Sequence, residues 1–434
     1  MSGAVGAALL AAGVAAQWRF DVFPADDGPL FGKSLPKVPG PDPTDKPVEI
    51  VYCAGWDSAA RAPVSPMSEP VARAQDAAGA QYAVVLLVEG VARAVVEVCW
   101  SAHHAEVSYL DAAGQRYRSV AYRRWPDERV RLFEVRGWRD GHHEVGPEGD
   151  RPTIRFRVQR EASAAVKTVS VKAEVDGGSL STQRDWKDWP EPERPVDDVA
   201  VPSVDGWPVL AGTTGPVTVR SGPDEVPASF PWRPPYPLQP RHITELTTDG
   251  ARLRTAHGDV LTVKQVPAGK IRLPSGELLV GDPGWLNAES APLADAVPPG
   301  EYAVDVFEVA DHGTVACRVT VTDKPVASWH LALREGDHEL ALGDGEFFGN
   351  PVDGATLALV DNTGSTAFSR EDVEAATVSD AVYRTLSKDE VDMIIVPGWS
   401  DGAFPVWLGR AGDGSLSQYV LDFLVPEVTK AEPA

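Results

Sequence analysis

The sequence is poor in cysteine, in basic residues and in long apolar runs, and each shortage excludes a class of protein. Only three cysteines occur among 434 residues: Cys53, Cys99 and Cys317. An odd, widely spaced set of this kind is neither a disulfide framework nor a metal-ligand pattern. The first two lie in apolar runs, which indicates small buried side chains rather than redox groups.

Basic residues are outnumbered by acidic ones, 40 to 63, which gives a formal net charge of -23. A surface this acidic repels phosphate backbones and argues against nucleic acid as a partner. No segment reaches the length of a membrane span. Residues 1–18 resemble the apolar part of a secretory signal, but they contain no Lys or Arg, and their Ala and Leu also suit a short helix. We therefore expect a cytoplasmic protein, with secretion as the alternative.

Short apolar runs separated by turn residues dominate the first half of the chain. In residues 153–158, Ile154, Phe156 and Val158 alternate with polar residues, as on a strand with one buried face. A turn sequence at residues 111–114 separates two such runs. After a helical and extended lead-in over residues 1–47, we predict an antiparallel β domain over residues 48–184.

Residues 185–240 are rich in Pro, Trp and acidic residues, and prolines at this density do not form sheet ladders. We predict a connector whose tryptophans pack on a domain surface. A second β domain should cover residues 241–434, with one principal helix near residues 369–386, begun by Ser369. The fold class is therefore mainly β: two antiparallel domains, sandwich-like or barrel-like, joined by a Pro/Trp-rich connector.

A possible catalytic motif, G-x-S-x-G, occurs at residues 398–402, where Ser400 would be the nucleophile of a serine esterase. In that enzyme class the acid and the histidine follow the serine along the chain. Here no histidine follows His338, and Pro405 favours a strand rather than the expected helix after the turn. We predict that Ser400 lies in a turn and is not a nucleophile.

Other polar groups in the first half fit no complete catalytic site. The pairs His103-His104 and His142-His143 lie near turns, and neighbours on a strand point to opposite faces, so neither pair forms a chelate by itself. We expect solvated loop histidines. The arginines between Arg116 and Arg160 alternate with acidic and apolar residues, which predicts a solvated sheet face rather than an anion site.

A family resemblance covers about residues 270–425. The segments that carry it are GELLVGDP at 276–283, VPPGEYAV at 297–304, VDNTG at 360–364, GWSDG at 398–402, GSL at 414–416 and DF at 422–423. In this order they resemble the bacterial family called domain of unknown function 4241. The sequence departs from the family pattern at Ser400, where glycine is expected, and at Asn362. The resemblance names no reaction, because the family is itself uncharacterised.

The resemblance implies that four carboxylates fall at strand ends, where they would form an acidic rim: Asp282, Asp361, Asp401 and Asp422. If they converge, they could hold a divalent cation or act in acid–base chemistry, with Tyr302 and Trp399 as the pocket wall. They could equally cap loop amides, and this structural role is favoured.

Two functions remain open from the sequence, beside a third interpretation as a secreted surface protein that depends on the signal-like residues 1–18. A non-catalytic binding or interaction protein is favoured, because no catalytic motif has its required residues at the expected positions. Its partner would be a protein or a small molecule. The alternative is a hydrolase or lyase that uses the acidic rim, with a divalent cation as its cofactor.

Overall fold

The computed structural model describes residues 44–138, 154–175, 178–185, 187, 199–200, 206–210, 212–255, 258–310, 313–377, 381–398, 400–424 and 428–432. The chain divides into two compact units, Met1–Tyr236 and Pro237–Ala434. The prediction of a mainly β protein is confirmed, since antiparallel sheets make up most of both units. Among the described residues, no helix is both long and apolar enough to cross a membrane. The predicted lead-in helix falls before residue 44, outside the described residues.

The first unit is built on one sheet of twelve strands. Its elements are β1 Val48–Asp57, β2 Ala62–Pro66, α1 Glu69–Ala77, β3 Tyr82–Val88, β4 Val91–Cys99, β5 His104–Leu110, β6 Arg116–Arg124, β7 Arg129–Gly137, β8 Ile154–Arg160, β9 Val166–Val175, β10 Gly178–Asp185, β11 Val199–Ala200, α2 Trp207–Leu210 and β12 Val217–Val219. The strand order is β10-β9-β8-β7-β6-β5-β4-β3-β1-β12, with β2 on β1 and β11 on β7.

Tight turns hold the strands of this sheet in sequence. Glu89 and Gly90 both have positive φ, 53° and 79°, and they join β3 to β4 as expected of a two-residue hairpin loop. The predicted turn at residues 111–114 is present, and Asp111 Oδ1 accepts hydrogen bonds from the amides of Ala113 and Gln115. These two short loops place β4 beside β3 and β6 beside β5.

One face of the sheet is mostly apolar over β1 and β3 to β9. Alternate residues of β1 and β3 to β9 form the core there, together with α1 and Trp207, and the largest of these side chains include Tyr52, Tyr82, Tyr109 and Tyr122. The opposite face is apolar only near β1, β3 and β4. Farther along, that opposite face carries charged side chains instead.

The second unit contains α3 Ile243–Leu246, β13 Arg252–Thr255, β14 Val260–Leu273, β15 Leu278–Gly281, β16 Gly300–Val309, β17 Gly313–Thr320, β18 Val326–Leu331, β19 Asn350–Val352, β20 Thr356–Asp361, α4 Arg370–Thr377, β21 Arg384–Lys388, β22 Val391–Pro397, β23 Gly402–Phe404, β24 Val406–Ala411, β25 Leu416–Asp422 and β26 Val428–Glu432. An eight-stranded sheet has the order β18-β24-β25-β17-β16-β14-β13-β26, and a four-stranded sheet has the order β15-β20-β22-β21. The two sheets share one core, which includes Val306, Leu421, Leu359 and Ile394.

The principal helix of this unit, α4, is shorter than predicted. It begins after Ser369, whose hydroxyl accepts a hydrogen bond from the Asp372 amide, but it ends at Thr377 instead of near residue 386. Leu386, predicted on the apolar stripe of the helix, lies on β21 opposite Met393 of β22. Sheet pairing therefore overrides the helical spacing of the apolar residues.

Candidate functional site

Two of the four predicted rim carboxylates bind the same turn, at residues 353–355, directly before β20. Asp282 Oδ2 accepts a hydrogen bond from the Asp353 amide at 2.9 Å, and its Oδ1 accepts one from the Gly284 amide at 2.8 Å. Asp401 Oδ1 accepts one from the Ala355 amide at 2.9 Å. Both carboxylates therefore cap loop amides at the start of this strand.

Asp361 lies at the other end of the same strand. It is fully buried, and its carboxylate accepts four hydrogen bonds, from the amide and hydroxyl of Ser275 and from the amide and hydroxyl of Thr363. A six-residue strand spans about 16 Å. The structure thus separates Asp361 from Asp282 and Asp401 instead of bringing them to one rim.

Asp422 is buried at the end of β25, where its carboxylate accepts hydrogen bonds from Trp407 Nε1 at 3.1 Å and from the Leu424 amide at 2.8 Å. Burial raises the pKa of its carboxyl to about 6. Neither of its partners carries a charge. Among the described residues, no three His, Cys, Asp or Glu side chains come together as a metal site.

The remaining candidates of the second unit occupy separate positions. Tyr302 is half-buried, its hydroxyl donates to the Pro298 carbonyl, and burial raises its pKa. Trp399 lies outside the described residues. Ser400 lies between β22 and β23, so its segment joins two strands and not a strand to a helix. This connection is the one that the position of Pro405 predicts.

A different polar site lies on the second face of the sheet in the first unit. We call it the charged face, and its members are Glu97 on β4, His104, Glu106 and Ser108 on β5, Arg116, Ser119 and Arg123 on β6, Phe133, Glu134 and Arg136 on β7, and Arg155 and Arg157 on β8. The strand register places them together. Glu97 pairs with Glu106, Ser108 with Ser119, and Arg136 with both Ser119 and Arg155, and residues paired in this way share one face.

Glu134 is the centre of an ion-pair network on this face. It is almost fully buried, and its carboxylate accepts hydrogen bonds from Arg155 Nε and from Arg157 NH2, the latter at 2.8 Å. Arg136 Nε lies 3.3 Å from Glu134, while Arg136 NH2 donates to Glu106 Oε2 at 2.6 Å. Arg136 therefore links two buried carboxylates and fixes the guanidiniums around them.

An aromatic ring and a histidine hold the other end of the charged face. The guanidiniums of Arg123 and Arg157 lie 4.5 Å and 4.6 Å from the centre of the Phe133 ring, in cation–π contact. Arg123 NH1 lies 3.4 Å from His104 Nδ1, which must be the acceptor because a guanidinium has only donors. Burial lowers the pKa of His104 to about 3, so its ring is neutral.

The two glutamates that face each other across β4 and β5 have opposite properties. Burial raises the pKa of Glu97 to about 7, and the charge of Glu106 adds to this effect while Arg116 opposes it. Burial also raises the pKa of Glu106, but Arg136 and Arg116 outweigh that effect and hold its pKa at about 2. Near neutral pH, Glu106 is therefore ionised, whereas Glu97 changes between its protonated and ionised forms.

Glu97 and the Ser108 hydroxyl are among the groups on this face that have no hydrogen-bond partner in the described part of the chain. Glu97 makes no hydrogen bond or ion pair there, and it keeps a small accessible area although protein atoms surround it. The hydroxyl of Ser108, a residue only 3% exposed, has no hydrogen-bond partner in the described part of the chain. Polar groups in such positions are able to bind a ligand without first breaking an internal contact.

The structure corrects two expectations about this region. His104 is buried as the first residue of β5 and is not a solvated loop histidine, whereas His103 is exposed as predicted; His142 and His143 lie outside the described residues. Several of the arginines are buried instead of solvated, since Arg123 is 3% exposed and Arg131 7%. The missed signal was a glutamate inside each of two apolar runs, AVVEVCW and AEVSYL, at positions that pair across strands.

Comparison with known proteins supports the resemblance in the second unit. Residues 271–421 match the sequence model of a family described as Protein of unknown function (DUF4241). The match lies within the second unit and leaves the charged face outside it. No curated protein and no solved structure matches the chain.

Proposed function

We propose that the protein is a non-catalytic binding protein and that the charged face binds an anionic ligand. The observation that carries this proposal is the local charge. The twelve members named above include five arginines and three glutamates, a formal charge of +2, in a chain with a net charge of -23. A concentrated cationic region on an acidic protein attracts anions selectively to one place.

The arrangement of the guanidiniums also favours anion binding. Glu134 and Phe133 already orient Arg155, Arg157 and Arg136, so little side-chain freedom is lost when a ligand binds. Arginine forms paired hydrogen bonds to carboxylate, sulfate and phosphate oxygens. Arg155 is 42% exposed, which makes it the member of this network that an incoming anion reaches first.

The acidic rim gives weaker support to the alternative, a hydrolase or lyase. Asp282, Asp361 and Asp401 already accept hydrogen bonds from neighbouring amides, and Asp361 lies at the far end of β20 from the other two. A carboxylate used in this way fixes a turn. We therefore place the ligand on the charged face and not at the rim.

The test is isothermal titration calorimetry with sulfate at pH 6 and constant ionic strength. We expect saturable binding that weakens when salt is raised, because salt screens charge. Arg155→Gln should weaken it several-fold, because one unit of positive charge leaves the face, without unfolding the protein, because Glu134 keeps Arg136 and Arg157. The matched control is Arg220→Gln, which removes an ion pair with Glu49 outside the charged face. Absence of saturable sulfate binding, or equal weakening in the control, would contradict the proposal.

A further inference from the structure

Glu97 has an unusual position on the charged face. It lies on β4 directly opposite Glu106, where cross-strand side chains are about 5 Å apart at Cβ. Arg136 donates a hydrogen bond to Glu106 and forms an ion pair with Glu134, and in the described part of the chain it makes no hydrogen bond to Glu97. Within the described residues, only Glu106 of these two neighbouring carboxylates accepts a hydrogen bond from a cation, so Glu97 is the place where a proton can be held.

Every strand near Glu97 contributes to its surroundings. On β1, Cys53 is a buried neutral thiol, because burial raises its pKa to about 12, and on β3 the residue opposite Glu97 is Ala83. On β5 the groups are the ionised Glu106 and the neutral His104. The cations are Arg116 on β6 and Arg136 on β7. The balance around Glu97 is therefore set by one carboxylate and two guanidiniums.

We infer that an oxyanion bound at the charged face binds together with one proton, and that Glu97 carries this proton and donates it in a hydrogen bond to the anion. The inference rests on the proposed function for the presence of the anion. The ligand would be a sulfate-like, phosphate-like or carboxylate group, which accepts hydrogen bonds from Glu97 and from the two arginines whose charges act on it, Arg116 and Arg136.

A bound anion favours the protonated form of Glu97. An ionised Glu97 would repel the anion and has no hydrogen to donate, whereas the carboxylic acid donates one. The pKa of Glu97 is already raised to about 7 by burial, so placing the proton there costs little near neutral pH. The buried hydroxyl of Ser108, two residues from Glu106 on the same face, supplies a second donor beside it.

The test measures sulfate binding by calorimetry from pH 6 to pH 9, a range in which the charge of sulfate does not change. We expect a constant Kd below about pH 7, and above it a Kd that weakens by close to tenfold per pH unit, as linkage to one proton requires. At pH 8, titrations in buffers of different ionisation enthalpy should show uptake of nearly one proton per sulfate bound. This second measurement uses the unaltered protein.

The variant Glu97→Gln carries an amide donor at every pH. It should remove both the pH dependence and the proton uptake, so that at pH 9 it binds sulfate roughly a hundredfold more tightly than the unaltered protein. Glu89→Gln, at an exposed ion pair with Lys46, is the control and should keep the full pH dependence.

The outcomes separate this inference from the proposed function. Sulfate binding at pH 6 with no proton uptake at pH 8 would refute the role of Glu97 and leave anion binding intact. Retention of the pH dependence by Glu97→Gln would assign the proton to another group and refute it as well. Absence of binding at pH 6 in both proteins would refute the proposed function, and this inference with it.

Discussion

Glu97 and Glu106 lie opposite each other in the register of β4 and β5, but of the two carboxylates only that of Glu106 accepts a hydrogen bond from an arginine among the described residues. The backbone gives the two side chains equivalent positions, so the difference comes from the strands beyond. Arg136 of β7 reaches Glu106 and not Glu97. Because Arg136 lies on a strand beyond this pair, the two glutamates have different pKa values although they are paired across β4 and β5.

The stability of the protein should depend on pH through Glu97. Its pKa of about 7 in the folded protein lies above the ordinary glutamate value, so its contribution is present at low pH and is lost as pH rises through 7. Glu97→Gln should therefore be more stable than the unaltered protein at pH 8, by about 2–3 kcal/mol, and similar to it at pH 4. Urea unfolding at both pH values measures this. A loss of stability in the variant at pH 8 would show that ionised Glu97 has a favourable partner.

Asp422 should act in the same direction in the second unit. Burial raises its pKa to about 6, above the ordinary aspartate value, so its stabilising contribution is present at low pH and is lost as pH rises through 6. In Asp422→Asn the change in unfolding free energy between pH 5 and pH 8 should be smaller by about 1–2 kcal/mol. The comparison between the two pH values cancels any constant cost of replacing the hydrogen bonds to Trp407 and Leu424. An unchanged pH profile would contradict this prediction.

Local pattern predicted the strands well, because alternation and turn residues act over a few positions. Ile154, Phe156 and Val158 do lie on the apolar side of β8. The charged face escaped prediction because it depends on register across five strands, which no local window contains. The helix was predicted too long for a similar reason, since Leu386 pairs with a neighbouring strand. In the sequence, the site is indicated only by charged residues inside apolar runs, such as Glu97.

Asp361 and Asp401 should respond differently to the same substitution. Asp361 accepts four hydrogen bonds in a fully buried place, and an asparagine there has one acceptor oxygen and would leave donors unpaired. Asp361→Asn should cost about 2–4 kcal/mol. Asp401 is exposed and accepts a single amide, so Asp401→Asn should cost less than about 1 kcal/mol. Chemical denaturation with and without calcium tests both, and a stabilisation by calcium that both variants abolish would instead support the acidic rim.

Trp207 should anchor the predicted connector to the first unit. Its side chain is fully buried, its Nε1 donates to the Tyr82 hydroxyl at 3.0 Å, and its ring stacks on Trp100 at 5.9 Å. Trp207→Ala removes a large buried side chain and leaves a cavity, so it should cost about 3–5 kcal/mol.

Limited proteolysis provides the local readout for Trp207, because a cut within residues 185–240 reports directly on the connector. We expect Trp207→Ala to be cleaved there much faster than the unaltered protein, since the segment loses the contact that holds it on the sheet. Trp285→Ala removes the same side chain at a position that is 50% exposed, so it should change neither the cleavage rate in this segment nor the stability by more than about 0.5 kcal/mol. Equal cleavage in all three proteins would mean that other contacts of the segment, such as the bond from Trp232 Nε1 to the Ala54 carbonyl, hold it without Trp207.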